Sequence, residues 1–492
     1  MSKESLFRYL LASDADSRTL ATKENKTGYG TSIEFSNKVQ FGSCTASTPT
    51  KSSYFRALET FNSLGLDVAN LHDPDTVSDL YLYICDELLD IFGINDDECS
   101  IFLTPSGTDV EILASSILVR NKGNSITNYI VAPVEIGSGS VNATEGKRFS
   151  SISPDGSLGE VGLREFTNLK TQKIKLIEFR DSEAKPRDYH EWENELIEKL
   201  LETSENKVLH YVNCTKTGVE VPKESTISVL NDRFGKKIDF VVDAAQGRME
   251  REDIKRWVRE GKMVYITGSK FFSSPPFCCA LFVPKNYDIS RIWSRDFHTY
   301  FDQLSFPVES RSMGQENSLT KPRTGHLVRW LFGLENMKSF YSIPKKSRIS
   351  FIERFSNHAT EHIQSHTEIF DMLENKQESF SPHGSIISFH IKKSESERYA
   401  NYNELRILYY HLLDSNEEFH IPQPTKLLEE NEEIAVFRIS IGSDLIEKHW
   451  KLSQSTTTDY ALEILCDQIS RCLDEISSMA QEMENLGKWD KE

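Results

Sequence analysis

The chain has 492 residues, 38% of them hydrophobic and 27% charged, with a formal net charge of −18. That length exceeds what one hydrophobic core organises, so a large domain with a smaller companion is expected. The acidic balance argues against nucleic acid as a partner, and no apolar run is long enough to predict a membrane span.

Residues 1–75 are rich in Ser, Thr and Gly, as in TGYGTSIEF and FGSCTASTPTKSS, and read as an irregular arm. The opening MSKESLFRYLLASDADSR interrupts its apolar patch with Arg8 and follows it with Asp14 and Asp16, which does not suit a signal peptide. From Thr76, VSDLYLYICDELLDIFG carries apolar residues at helical spacing and stops at Gly93. Strand-length apolar runs then alternate with amphipathic stretches: IFL (101–103), NYIVA (128–132), KIKLIEF (173–179), VLHYV (208–212), IDFVV (238–242) and MVYIT (263–267). This alternation predicts an α/β fold with a mostly parallel sheet covered by helices. CALFVP (279–284) follows a Pro-Pro turn too short for a crossover helix, so it is expected to return antiparallel.

From about His326 a helical region begins, followed by SIISFHI, NELRILYYHLL, AVFRISI and a long closing helix, which predicts a smaller C-terminal α+β domain. The expected division is an arm at 1–75, a major domain at 76–325 and a small domain at 326–492. LLEENEE (427–433) reads as a charged loop. The eight cysteines lack disulfide or zinc spacing and read as reduced thiols, so a cytoplasmic protein is expected. With no H-E-x-x-H and no convincing H-x-x-x-H helix face, no metal is expected.

Ligands of doubly wound sheets sit beyond the carboxyl ends of the strands, so the residues after each apolar run come first. After IFL, Ser106-Gly107-Thr108 opens a helix and offers backbone N–H groups and two hydroxyls at a positive dipole end, which suits a phosphate as well as a plain N-cap. After IDFVV, Asp243 stands beside small residues, able to pair with a cation or to hold a proton on a ligand nitrogen. After MVYI come Thr267, Gly268, Ser269 and Lys270. A lysine in an apolar setting is expected to present a neutral amine for a Schiff base, or else to neutralise Asp243.

A phosphate cradle, an acid for a ring nitrogen and a Schiff-base lysine, in that order, resemble a fold-type I pyridoxal-phosphate (PLP) enzyme of the aspartate aminotransferase superfamily over roughly 76–300. The resemblance implies a Schiff base at Lys270, with Asp243 on the pyridine nitrogen as the other catalytic residue. It further implies Ser106, Gly107 and Thr108 on the phosphate, helped by Thr267 or Ser269, and Gln246 and Asn213 near the phenolic oxygen. Arg438, in AVFRISIG, resembles the arginine that forks onto a substrate carboxylate, with Arg323 as an alternative clamp.

VDAAQ and VNCTKTG are similar to the class V aminotransferase and cysteine desulfurase branch. No cysteine lies between Cys279 and Cys466, which argues against sulfur transfer, and Ile136 stands where that branch places a ring-stacking histidine. Ser269 before the lysine departs from the decarboxylases. The resemblance therefore implies a transferase acting on an amino acid by amino transfer or by elimination and replacement with carbon-carbon bond formation, with a lyase or decarboxylase, or a non-catalytic scaffold, as alternatives. It also implies a homodimer.

Overall fold

The computed structural model describes residues 2–489 apart from 13, 15, 20–26, 28–30, 33, 43, 45, 46, 124, 171, 312–321, 375–383, 394–397, 416, 417, 429–433 and 488. The arm is more regular than its composition suggests. It contains α1 (Lys3–Ala12), β1 (Val39–Gln40) and α2 (Lys51–Ser63), so the expectation of an irregular segment is corrected. Leu6, Phe7, Leu10 and Leu11 bury one face of α1, and Tyr54, Ala57, Leu58 and Phe61 bury one face of α2. Thr50 caps α2 by accepting from Ser53 N.

Helix α3 (Pro74–Phe92) starts two residues before Thr76, because Asp73 accepts from Thr76 N and Pro74 fits the first turn; Gly93 ends it at φ 62°. There follow β2 (Cys99–Thr104), α4 (Gly107–Lys122), β3 (Ile126–Val131), α5 (Ser140–Thr144), β4 (Lys173–Ile177), α6 (Tyr189–Leu201), β5 (Asn206–Val212), α7 (Glu224–Phe234), β6 (Ile238–Ala244), α8 (Arg251–Arg259), β7 (Met263–Thr267) and β8 (Cys279–Pro284). The sheet order is β2-β8-β7-β6-β5-β3-β4, with β8 antiparallel to both neighbours and the other pairs parallel. Both the mostly parallel sheet and the antiparallel return of CALFVP are present.

One face of this sheet packs under α4, where Phe102, Val208, Val241 and Leu281 meet Val110, Leu113 and Ile117. The other face buries Val242, Val264 and Phe282 in the larger core with Leu88 and Leu331. Cover on both sides is why the strands read as unbroken apolar runs.

The remainder runs α9 (Thr324–Ser342), α10 (Lys345–Ser365), β9 (Phe370–Met372), β10 (Ile386–Ile391), α11 (Tyr402–Ser415), β11 (Phe419–His420), β12 (Thr425–Lys426), β13 (Ala435–Ser440), α12 (Ser443–Ser455) and α13 (Thr458–Asn485). A second sheet, β12-β13-β10-β9, is antiparallel throughout. Strand β1 pairs in parallel with β11, so the arm is tied to the far end of the chain. Most of LLEENEE lies outside the described residues. No helix among the described residues is long and apolar enough to cross a membrane.

Candidate active site

A cavity of about 490 Å³ opens at the carboxyl ends of β2, β5, β6 and β7 and is closed on its far side by residues of β12 and β13. Its wall includes Ser106, Gly107 and Thr108 from the start of α4, Asp243 and Gln246 from the end of β6, Thr267, Ser269 and Lys270 from the end of β7, and Arg438 from β13. The ends of β2, β6 and β7 thus deliver expected residues to one space, as an open α/β sheet does at its carboxyl edge, and β13 adds Arg438.

Asn213 is the exception, because it does not reach the wall. Val212 and Cys214 line the cavity, and in an extended chain the residue between them points the other way. Asn213 is buried, donates its backbone N–H to Asp243 O at 2.9 Å, and leaves its Oδ1 without a partner among the described residues.

Ser106 is the N-cap of α4. Its Oγ accepts from Asp109 N and donates to Asp109 Oδ2 at 2.6 Å, so the plain capping role is realised within the cavity wall. Gly107 is needed for packing: a Cβ there would meet Tyr265 Cε2 at 3.1 Å. Gly137, on the opposite wall, would place a Cβ 2.6 Å from Thr108 Oγ1. Two glycines therefore keep the helix end open.

Asp109 is fully buried one turn inside that helix end, and burial pushes its carboxyl up against the pull of Arg18. Arg18 Nη2 lies 2.7 Å from Asp109 and 2.6 Å from Asp16, with its guanidinium 4.5 Å from the Phe277 ring centre. A lone carboxylate here would repel an anion, and Arg18, shared with Asp16, offsets part of that charge.

Asp243 Oδ1 accepts from Ala245 N at 2.9 Å. Burial raises its pKa, while Lys270 and the Ala245 N–H pull it down. Lys270 is half-buried and opens into the cavity rather than packing among apolar neighbours, which corrects the buried setting expected for it. Among the described residues its Nζ makes no ion pair and no hydrogen bond, so it acts on the Asp243 charge without contacting it.

Thr267 Oγ1 donates to Ala245 O at 2.6 Å, locking the ends of β6 and β7 together. Arg438 is buried, donates from Nη1 to Lys216 O at 2.8 Å, and has an Nε without a partner among the described residues. Arg323 instead donates to the backbone carbonyls of His298, Thr299 and Tyr300, outside the cavity wall.

Ile136 lines the cavity, so an apolar side chain stands there. Next to it Glu135 is buried against Arg180 and Thr217. Cys278 and Cys279 are packed core thiols, with burial pushing Cys278 up to about 12. The expectation of no helical H-x-x-x-H face needs correction, since His362 and His366 mark the end of α10, with His362 Nε2 3.0 Å from Asp474 on α13. The two imidazoles stack at 4.4 Å and 20°, and with Asp474 they place ligand atoms within 4.8 Å of one another.

Solved structures carry the same architecture at low identity. A structure described as a NifS-like protein matches at 12% identity over 89% of this chain and 99% of its own, TM-score 0.53. A cystine C-S lyase in complex with cysteine persulfide matches at 11% over 88% and 97%, TM-score 0.52. An Oryza sativa TDC with PLP and tryptamine matches at 13% over 93% and 85%, TM-score 0.52. The chain has the fold of the fold-type I PLP enzymes. No family model matches the chain, and no curated protein matches it.

Sequence reasoning missed Arg18, Cys44, Phe149, Tyr265, Phe277 and Tyr402, which also line the cavity. Tyr265 was hidden inside an apolar strand, Phe277 in the turn after Lys270, and the others come from segments distant in the chain.

Proposed function

We propose that this fold-type I chain is a PLP-dependent enzyme acting on an amino-acid substrate, with Lys270 as the Schiff-base lysine. The observation that carries the reading is the Lys270 amine, free of any ion pair among the described residues, on the same wall as the Asp243 carboxylate and the open N-terminus of α4.

The wall fits the cofactor. Ser106, Gly107 and Thr108 would hold its phosphate at a helix end whose dipole favours anions, with Ser269 on the neighbouring strand end. Asp243 would hold a proton on the ring nitrogen, and Gln246 would face the phenolic edge. When bound, PLP withdraws electrons from the α-carbon of an attached amino acid. Lys270 would be the base at hand to move a proton at that carbon. Arg438 would hold the substrate carboxylate through a charge-assisted fork. Ile136 and the Phe149 and Phe277 rings supply apolar wall to the same cavity.

The finer reading is a transferase that moves an amino group or carries out elimination and replacement. Residues 76–325 would bind the cofactor, 326–492 would form the smaller unit, and the protein would work as a homodimer. Titration with PLP should give saturable visible absorbance that single amino acids then alter. A protein that stays colourless in excess PLP would refute the reading.

A further inference from the structure

A polar column runs through the apolar layer between the sheet and α4. In the parallel register Asp243 on β6 lies beside Tyr265 on β7, and His210 on β5 lies beside Val241, two residues before Asp243. All three side chains therefore share the face that α4 covers. Glu111 reaches down from α4 into the same layer. The Tyr265 hydroxyl donates to Glu111 Oε1 at 2.9 Å, and Tyr265 stands beside Asp243 in the strand register, where it acts on the carboxyl's charge. Glu111 Oε2 lies 2.8 Å from His210 Nδ1, and His210 Nε2 lies 3.0 Å from Asn128 Oδ1. Exposure is 1% at Tyr265, 2% at Glu111, 4% at His210 and 0% at Asn128.

The proton positions follow from the geometry. Asn128 Nδ2 donates to the Lys173 backbone carbonyl, which can only accept, so Oδ1 faces His210 and calls for a proton on Nε2. His210 Nδ1 and Glu111 Oε2 face each other at ion-pair distance. Tyr265 is left with one hydroxyl proton and two carboxyl groups to serve.

Packing apolar side chains at these positions would be cheaper than burying a carboxyl, an imidazole and a phenol in contact. The column also ends on Asp243, a carboxylate of the cavity wall. The titratable groups acting on Asp243 come from four places: Lys270 after β7, Tyr265 on β7, Glu111 on α4 and Cys279 on β8.

Resting on the functional reading above, we infer that Glu111 and His210 are positioning residues that act through the Tyr265 hydroxyl to set how firmly Asp243 holds a proton on a ring nitrogen in the cavity. Tyr265 and Glu111 pull Asp243 in opposite directions, because the hydroxyl stabilises its charged form and the neighbouring carboxyl disfavours it.

The test is a pH titration of the visible absorbance of the PLP-loaded protein, in wild type, Tyr265→Phe and Glu111→Gln. The midpoint is expected to move by about one pH unit, in one direction for Tyr265→Phe and in the other for Glu111→Gln, while borohydride still fixes the cofactor to Lys270. His210→Gln, which leaves Glu111 without its partner, should move it as Tyr265→Phe does. A merely structural column would lower thermal stability in all three and leave the midpoint in place. Loaded variants that titrate like wild type, or that all shift one way, would overturn the inference alone. If a histidine or glutamate variant fails to fold, Tyr265→Phe, which loses a single oxygen, decides by whether its midpoint moves. A wild-type protein that takes up no PLP would remove the functional reading and this inference together.

Discussion

Arg18 shows how much a single side chain from a Ser- and Thr-rich segment can contribute. Burial alone would push both Asp16 and Asp109 up, and Arg18 opposes this from 2.6 and 2.7 Å. Arg18→Met would leave two carboxyls buried beside each other at the proposed phosphate end. A loss of about 3–5 kcal/mol is expected, measured by urea unfolding, and Asp109→Asn in the same chain should restore part of it. A loss below about 1 kcal/mol would show that Arg18 is not carrying that charge. For Arg438 the outcome is different in kind. Replacement by Gln should weaken substrate by about 10–100-fold in KM while PLP uptake is unchanged, and equal loss of both would place Arg438 with the cofactor instead.

The site residues were legible where the chain uses position to announce chemistry. Asp243 and Lys270 each follow an apolar run, and a strand end is where an open sheet presents its ligands. Tyr265, Glu111 and His210 were not legible as a set, because each sits at an apolar position of a strand or helix and only the register between β5, β6 and β7 brings them into line. Asn213 was misjudged by one position of strand alternation.

Among the elements, strands buried on both faces announced themselves, and α3 did so through Asp73, Pro74 and Gly93. Helix α2 was missed although Thr50 and the Tyr54, Ala57, Leu58, Phe61 spacing were present, since Ser-rich composition around it masked a 13-residue amphipathic run. The loop joining β5 to α7 carries a test of its own. Burial first, then the neighbouring Glu224 and Asp253 charges, push Glu220 up to about 7 from its ordinary 4.5. The folded pKa therefore lies above the unfolded one. Ionisation of Glu220 costs the fold nothing below about pH 4.5 and its full amount above about pH 7, so stability falls as pH rises through that window. Glu220→Gln should raise the unfolding midpoint at pH 8 and leave it nearly unchanged at pH 4.5, measured by calorimetry at both. An equal gain at both would contradict the burial account.

At the scale of the whole molecule, the cavity depends on how the antiparallel sheet meets the large one. Arg248, just past β6, donates to Ser385 O at 3.2 Å and Ile441 O at 3.0 Å, and its guanidinium lies 5.0 Å from the Phe271 ring centre beside Lys270. Burial lowers it to about 10, yet it spans from the large sheet to the edge of the small one. Arg248→Met would leave two buried carbonyls without this donor. It should cost about 2–4 kcal/mol in denaturant unfolding and weaken PLP uptake, because Arg438 and Lys270 line one cavity from the two sheets that meet at that junction. Unchanged uptake would mean that the two sheets hold their spacing without Arg248. No sequence pattern foretold this contact, since a lone arginine after Gly247 looks the same whether it faces solvent or a second sheet.

The account turns on the chemistry at position 270. Borohydride reduction of PLP-loaded protein followed by peptide mass mapping is expected to place the reduced cofactor on Lys270 and nowhere else, with the label lost in Lys270→Ala. Label on another lysine, or none on a protein saturated with PLP, would contradict it.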